Sequence, residues 1–470
     1  MIKSDSGSEC KLDMKGLRLA AISLGCSKNR IDTEEILGYL STKGCILTND
    51  YRSADLIIVN TCSFIETAQQ EAVSTLLDLT DLAAAVKEAG GKKPKIVAAG
   101  CLVEVFGDDI IKDMPAVDGA IGVHSYSRLD YFVDQVFRGQ QEVIKNDPPH
   151  EYRALSSRLL TSPVHSVNVK IAEGCSNRCH YCLIPAIRGP YRSRDPEEII
   201  AEINDLLDRG SREINLIAQD TTAYGHDREN FPDLAGLIEA IMERNSYFRL
   251  RIMYTYPSRI DDRLIELIAK EPRICNYLDI PLQHCNDHVL KKMGRLYNRK
   301  NLEELIQKLR NQIPDLALRT TLMVGYPGET SAYFNDMLSF IEKYPFESLG
   351  AFTYSKQGGT IAGNAEHQVS RRVSNKRYRE LMSKQQRIAR QLNEKLAGKQ
   401  LTVLVEGTLR PGSNWHYGRA EFQAPEVDGV VYFRSPVNLQ PGSWVSVKIK
   451  AISSYNLLAG NPSLLEVNNN

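Results

Sequence analysis

The sequence predicts an α/β chain in three successive parts. These are a parallel-sheet N-terminal domain, a partial (β/α)6 barrel of the TIM type, and a small C-terminal β-barrel of the OB-like kind. Three observations carry this. Apolar β-prone runs alternate with helical patterns through the first and middle parts, which implies parallel sheets with helices on their faces. Towards the C-terminus the pattern changes to short β-like runs broken by PG and DG turns. Cysteine, glycine and polar residues recur directly behind the strand-like runs, at the edge where parallel sheets hold their ligands.

At 470 residues the chain is too long for one ordinary core, so several domains are expected. Hydrophobic residues make up 42% and charged residues 25%, the balance of a soluble globular protein. Lys+Arg and Asp+Glu both number 58, so no global charge steers the chain to nucleic acid or an anionic membrane. No apolar run reaches the roughly 18 residues that span a bilayer. The opening MIKSDSGSECKLDMKG lacks the apolar centre of a signal peptide. Ten cysteines without an export signal read as metal ligands or thiols, not as a disulfide framework. The expectation is a cytoplasmic protein with no membrane partner.

The first domain is expected over 16–145. LRLAAISLGC, ADLIIVNTC and KIVAAGC are apolar β-prone runs that each end in a cysteine, with helical patterns between them. A linker over 146–166 follows, marked by prolines and serines. The second domain is expected over 167–395. Six β-like runs recur there: VNVKIAEGC, EINLIAQD, RLRIMYTYP, NYLDIPLQH, ALRTTLMVGYP and SLGAFTYS. A basic helix, RRVSNKRYRELMSKQQRIARQLNEKLAG, closes it and reads as a solvated face. The third domain is expected over 398–467. With six Lys/Arg against five Asp/Glu it carries no cationic footprint of the kind RNA-binding modules show.

Six of the cysteines form two sets of three. Cys175, Cys179 and Cys182 make a compact C-x3-C-x2-C loop in EGCSNRCHYC. Cys26, Cys62 and Cys101 are far apart in sequence but take the same position behind three strand-like runs. Small buried hydrophobes are the bland reading of the second set. Three thiolates are an incomplete set for tetrahedral zinc but suit a four-iron cluster with one open iron. His180 is adjacent as a fourth zinc ligand but poorly placed between two loop ligands. Cys10, Cys45, Cys275 and Cys285 share no such pattern and read as ordinary thiols.

Other candidates lie at strand ends. Gln219 and Asp220 follow the second barrel strand, and Gln283 and His284 the fourth; cofactor or substrate contact and plain polar rim are both open for them. Arg319 inside a strand is either a packed, paired cation or a cofactor contact. GYPGET (325–330) reads as a strand-to-helix turn with Thr330 as a helix cap. Trp415, His416, Tyr417 and Trp444 read either as a stacking surface or as core.

The C-x3-C-x2-C loop behind the first barrel strand resembles the radical S-adenosylmethionine (SAM) superfamily. There the open iron chelates SAM, and reductive cleavage gives a 5′-deoxyadenosyl radical. Tyr181 matches the aromatic this superfamily places beside the adenine. With the second triple and the terminal barrel, the chain is similar to the methylthiotransferase family from about Leu17 to Val467. The segments SLGCSKNRIDTE, NTCSFI, AAGCL, EGCSNRCHYCLIPAIRG, DIPLQHCNDHVLKKMGR and APEVDGVVYF carry the likeness. LIAQDTTAYG, YLDIPLQH and LRTTLMVGYPGET resemble the branch that modifies an aspartate of small-subunit ribosomal protein twelve, rather than the branch acting on adenosine in tRNA.

The resemblance implies two [4Fe–4S] clusters, one on Cys26, Cys62 and Cys101 and one on Cys175, Cys179 and Cys182. It also implies SAM serving both as methyl donor and as radical source. Tyr181, Gln219, Asp220, Gln283 and Arg319 are the expected SAM contacts. The third domain corresponds to a TRAM domain. A flavodoxin- or ferredoxin-type electron donor and a sulfur donor are the further implied partners. Glu421, Glu426 and Asp428 around the APEVDG turn are expected to meet a basic protein loop.

Overall fold

The structure, a computed structural model, describes residues 12–145, 148–149, 151–152, 154–155 and 157–465. Cys10, parts of the expected linker (146, 147, 150, 153 and 156) and positions 466–467 of the third section lie outside the described residues. The chain divides into two compact units. One holds Met1–Thr161, Glu173–Asn177 and Cys182–Arg192; the other holds Ser162–Ala172, Arg178–Tyr181 and Ser193–Asn470. Among the described residues no helix is long and apolar enough to cross a membrane.

The first unit is built on six strands: β1 (Arg18–Ser23), β2 (Ile46–Leu47), β3 (Leu56–Thr61), β4 (Lys95–Gly100), β5 (Gly119–Ile121) and β6 (Glu142–Ile144). They form one sheet of order β2-β1-β3-β4-β5-β6, with every pairing parallel. Alternating residues feed opposite faces. Leu19, Ile58, Val97 and Ile121 pack under α1 (Ser27–Thr42) and α4 (Leu129–Phe137). Ala20, Ile57, Val59, Ile96 and Ala98 pack under α2 (Glu66–Glu88) and α3 (Cys101–Asp113). Both faces are covered, which is why the strands read as continuous apolar runs and not as alternating ones. Because α1 and α2 lie on opposite faces, the winding reverses between β1 and β3. That reversal opens a crevice at the carboxyl ends of these two strands.

In the second unit β7 (Ser166–Lys170) is the first barrel strand. The two-residue strands β8 (Ala172–Glu173) and β9 (Arg192–Ser193) and the short helix α5 (Ile184–Arg188) flank the cysteine loop in sequence. The barrel continues through β10 (Glu213–Ile217), β11 (Arg249–Ile252), β12 (Ile274–Asp279), β13 (Ala317–Val324) and β14 (Ser348–Thr353). With β7 they form a six-stranded, all-parallel open sheet in sequential order. The helices between are α6 (Pro196–Asp208), α7 (Leu234–Met242), α8 (Asp262–Lys270), α9 (Asp287–Lys292), α10 (Arg299–Gln312) and α11 (Ser331–Lys343). Asp195, Asp233, Asp261, Asn286, Asn298 and Thr330 cap these six, each side chain accepting a first-turn backbone N–H. The basic helix α12 (Arg371–Glu394) follows, with Arg377 turned inward to Glu329.

The terminal barrel comprises β15 (Gln400–Thr408), β16 (Trp415–Arg419), β17 (Val431–Arg434), β18 (Trp444–Ile452) and β19 (Leu457–Ala459). It closes through a β15–β18 pairing, and β20 (Ser463–Leu464) adds to β18. Within its unit it docks on the amino-terminal edge of the (β/α)6 sheet through buried charges. Glu213, the first residue of β10, is fully buried between Arg251 and Arg419, and these cations hold its carboxyl far below the usual range against the cost of burial. Arg249 donates to the carbonyls of Arg419 and Thr402, and Arg251 to that of Glu421. Asp428 accepts from Tyr277 at 2.8 Å, from Arg319 at 2.9 Å and from Ser348.

Arg319, the third residue of β13, is paired with Asp428 and with Asp279 at the end of β12, the packed and paired arrangement that the sequence left open. The Asp428 carboxylate is engaged by the same network, and the Glu421 main-chain carbonyl accepts from Arg251, so this part of the turn region helps to dock the barrel. Burial answers the question about aromatics for His416 and Trp444, while Trp415 and Tyr417 are half-buried. Trp444 lies under Arg249 at 4.4 Å, and His416 stacks on Phe433 at 5.8 Å, both buried.

Candidate functional site

The dispersed cysteines sit at the crevice described above. Cys26 is the N-cap of α1 just beyond β1, Cys62 directly follows β3, and Cys101 opens α3 directly after β4. These three strands are neighbours in register, with Ser23 opposite Asn60 and Thr61 opposite Gly100. Sheet geometry therefore brings together residues that sequence holds apart. Two glycines permit the close approach. A Cβ on Gly25 would meet Cys62 Sγ at 2.8 Å, and one on Gly100 would meet Asn60 Oδ1 at 2.2 Å; both have positive φ.

Asn29 ties the edge. Its amide donates to the carbonyls of Leu24 at 3.0 Å and Thr61 at 2.9 Å, so it bridges the turn after β1 to the end of β3. Asn60 returns a bond to the Asn29 carbonyl at 2.8 Å. Cys62 and Cys101 are buried and Cys26 is exposed, which leaves the triple a solvent side. Burial pushes the Cys62 and Cys101 thiols up, Cys101 to about 12, and the neighbouring thiols add to the rise. Arg188 opposes it at Cys101. At Cys62 the backbone N–H groups of Phe64 and Ser63 act against that rise. Unlike the barrel helices, α1, α2 and α3 have no side-chain cap.

Arg188, which the sequence reading passed over, is fully buried at the end of α5. It forks onto Glu173 at 3.0 Å and reaches Asp32 at 2.8 Å, Asn29 Oδ1 at 2.6 Å and Cys101 Sγ at 3.3 Å.

The compact loop is distributed over the chain's two units: Cys175 and Cys182 belong to the first, Cys179 and Tyr181 to the second. In the first, the Cys175 N–H donates to the Gly189 carbonyl at 3.1 Å, and Cys182 Sγ accepts from the Ile184 N–H at 3.4 Å. In the second, His180 donates its N–H to Met293 and accepts from the Ala362 N–H, and its Nδ1 lies 2.9 Å from the Lys292 carbonyl. His180 thus anchors the loop through its backbone and ring.

The carboxyl edge of the barrel strands gathers aromatic and polar groups. Tyr181 stands edge-on to Tyr326 at 6.4 Å, and Tyr326 edge-on to Tyr354 at 5.5 Å. Arg295, a second residue missed from sequence, donates to Tyr181 OH at 2.7 Å and faces the rings of Tyr256 and Tyr297. Gln283 holds φ +69° and is 8% exposed, with its Oε1 buried and unpartnered. Tyr254, behind β11, holds φ +61°. Bulky residues in the left-handed region at strand ends are strain kept in place by surrounding structure. Asp220 is buried and held by Arg259 and Thr222, both at 2.6 Å, so it supports the rim. Gln219 follows β10 at the same edge. His284 is buried deeper, with Nδ1 accepting from the Asn286 N–H, and burial lowers its pKa to about 3.

Among the described residues no set of three His, Cys, Asp or Glu groups is gathered tightly enough to hold a lone metal ion. The donor set is of the kind that suits a larger group: three thiols on one sheet edge, N–H groups of Ser63 and Phe64 at Cys62 and close approach permitted by glycine.

Comparison with known proteins agrees with this construction. Residues 169–341 match the Radical SAM superfamily, 397–460 a TRAM domain, and 18–122 a family described as Uncharacterized protein family UPF0004. A radical SAM methyltransferase structure, TsrM from Kitasatospora setae with cobalamin and a [4Fe–4S] cluster bound, superposes with a TM-score of 0.56 at 14% identity. The match covers 74% of this chain and 77% of that one, and it supports the fold. The Radical SAM superfamily match makes SAM a cofactor of this enzyme. Over 442 residues the chain is 40% identical to the ribosomal protein uS12 methylthiotransferase RimO of Pelotomaculum thermopropionicum, covering 94% of this chain and 98% of the relative. The RimO of Clostridioides difficile is 39% identical over 442 residues, at 94% and 98% coverage. By this similarity along almost its whole length, the chain belongs to the radical SAM methylthiotransferases of the ribosomal protein uS12 family.

Proposed function

We propose that this enzyme adds a methylthio group to the β-carbon of an aspartate in ribosomal protein uS12, with SAM as both methyl donor and radical source. The observation that carries this reading is the 40% identity over 94% of the chain, joined to a sheet edge that presents three thiols. Two four-iron clusters are assigned, one to Cys26, Cys62 and Cys101 and one to Cys175, Cys179 and Cys182. When bound, such a cluster with an open iron supplies the coordination site and the electron for reductive cleavage of SAM. The C–H bond at an aspartate β-carbon, beside an ionised carboxylate, is only feebly acidic, so general acid–base catalysis offers no comparably easy route and a radical accounts for its cleavage.

The chain's own residues hold and shield. Tyr181 is assigned to the adenine of SAM, and Arg295 fixes its hydroxyl. Gln283 offers a buried, unpartnered carbonyl oxygen at a strand end. Gln219 lies on the same edge, and Asp220 orients the rim through Arg259. The domain limits proposed are 16–145, 146–166, 167–395 and 398–467. A flavodoxin- or ferredoxin-type reductant and a sulfur donor complete the reaction, and the cytoplasm is the assigned compartment. The test is mass spectrometry of uS12 and of tRNA from a deletion strain. Loss of one methylthio increment from uS12, with tRNA unchanged, is the expected result. Loss from tRNA with uS12 untouched would overturn the substrate assignment.

A further inference from the structure

Resting on the assignment of a cluster to Cys26, Cys62 and Cys101, we propose that Arg188 is its positioning residue. The guanidinium donates an N–H to the Cys101 sulfur and thereby sets the cluster's reduction potential. The geometry is specific. Arg188 is 2% exposed, and its two terminal nitrogens divide their work. Nη1 is spent on both oxygens of Glu173 at 3.0 Å. Nη2 has two N–H groups but three acceptors: Asn29 Oδ1 at 2.6 Å, Asp32 Oδ2 at 2.8 Å and Cys101 Sγ at 3.3 Å. The sulfur therefore competes with a carboxylate and an amide for a charged donor.

A buried ion pair is weak evidence for stability, because desolvation offsets the attraction. Arginine keeps its charge here and adds a rigid fork that lysine lacks. Hydrogen bonds and positive charge at a cluster sulfur stabilise the reduced state, so they raise the potential. Asp32 works in the opposite direction, by drawing an N–H away from sulfur and by its own negative charge. The segment that follows the compact cysteine loop thus supplies a ligand's hydrogen-bond partner in the dispersed set. That linkage is invisible to a reading of either motif alone.

The test is EPR-monitored redox titration of the full chain after anaerobic reconstitution. Cys175, Cys179 and Cys182 are replaced by alanine so that one cluster is read. Arg188→Met is expected to lower the potential enough to change the oxidised-to-reduced ratio about tenfold at fixed solution potential, ~59 mV for one electron. Asp32→Asn is expected to move it the other way. Arg188→Lys keeps the charge but loses the fork, shifts less than Arg188→Met, and serves if the methionine variant does not load iron. Unmoved potentials in the variants that load, or shifts of one sign at both positions, overturn the proposal. A parent chain that takes up no iron in this background overturns the cluster assignment itself, a result distinct from an unmoved potential.

Discussion

The two cysteine triples solve one problem by opposite means. Cys26, Cys62 and Cys101 come from three strand ends, and their spacing is the spacing of the sheet. Asn29, Asn60 and two positive-φ glycines then lock the edge. Cys175, Cys179 and Cys182 come from eight consecutive residues, so the chain's own connectivity keeps them near each other and the fold has only to present the loop. The difference shows in what surrounds them. At the sheet edge the Asn29 and Asn60 amides tie strand ends and the first turn of α1 together. The barrel edge keeps polar groups at strand ends, such as Gln283 Oε1, unspent. A site whose ligands are distant in sequence needs the fold to be rigid. A site whose ligands are local leaves the fold free to build a cofactor pocket.

The largest effects break the comparison outright. Alanine at Cys175, Cys179 and Cys182 should reduce bound iron from about eight to about four and abolish SAM cleavage. Alanine at Cys26, Cys62 and Cys101 should leave SAM cleavage intact and abolish methylthio transfer. Iron analysis and 5′-deoxyadenosine formation read the two. If all six cysteines behave alike, the triples are not separate sites.

Next in size is the cost of rigidity. Asn29→Ala strips buried carbonyls of their donors and should destabilise the chain by about 2–4 kcal/mol, with loss of iron from the dispersed triple. His180→Ala, which keeps both backbone bonds of the loop, should cost less than about 1 kcal/mol and leave the iron content unchanged. Denaturant unfolding and iron analysis compare them, and equal losses would erase the distinction drawn above.

A smaller effect concerns acid. His284 is neutral in the folded state, with its pKa lowered to about 3 by burial, against about 6.5 unfolded. The unfolded chain therefore binds an extra proton as pH falls below about 6.5, and stability drops by about 1 kcal/mol per pH unit until the folded value is reached. Unfolding free energy between pH 7 and 4 should lose that slope in His284→Leu. An unchanged slope would mean the ring is charged in the fold.

The smallest effect separates strain from contact. Gln283→Gly relieves a left-handed φ and should leave stability unchanged or raise it by about 1 kcal/mol. If the side chain meets SAM, as proposed, the KM for SAM should rise in the same variant. A thermal shift without a KM change would leave Gln283 as backbone strain only.

The sequence by itself determined the alternation of strands and helices, the closing barrel, the turn at GYPGET with Thr330 as cap and the cysteine spacing. These are local or periodic properties, and apolar pattern, capping side chains and turn residues act over a few positions. Only the tertiary structure decided what the buried charges do. Arg188, Arg295 and Arg319 look alike in sequence, each a cation beside apolar residues. The fold gives the first to a cysteine sulfur, the second to a tyrosine hydroxyl and the third to Asp428. Their partners lie 87, 114 and 109 residues away, beyond the reach of any local pattern. A guanidinium's role is set by which acceptor the fold buries beside it.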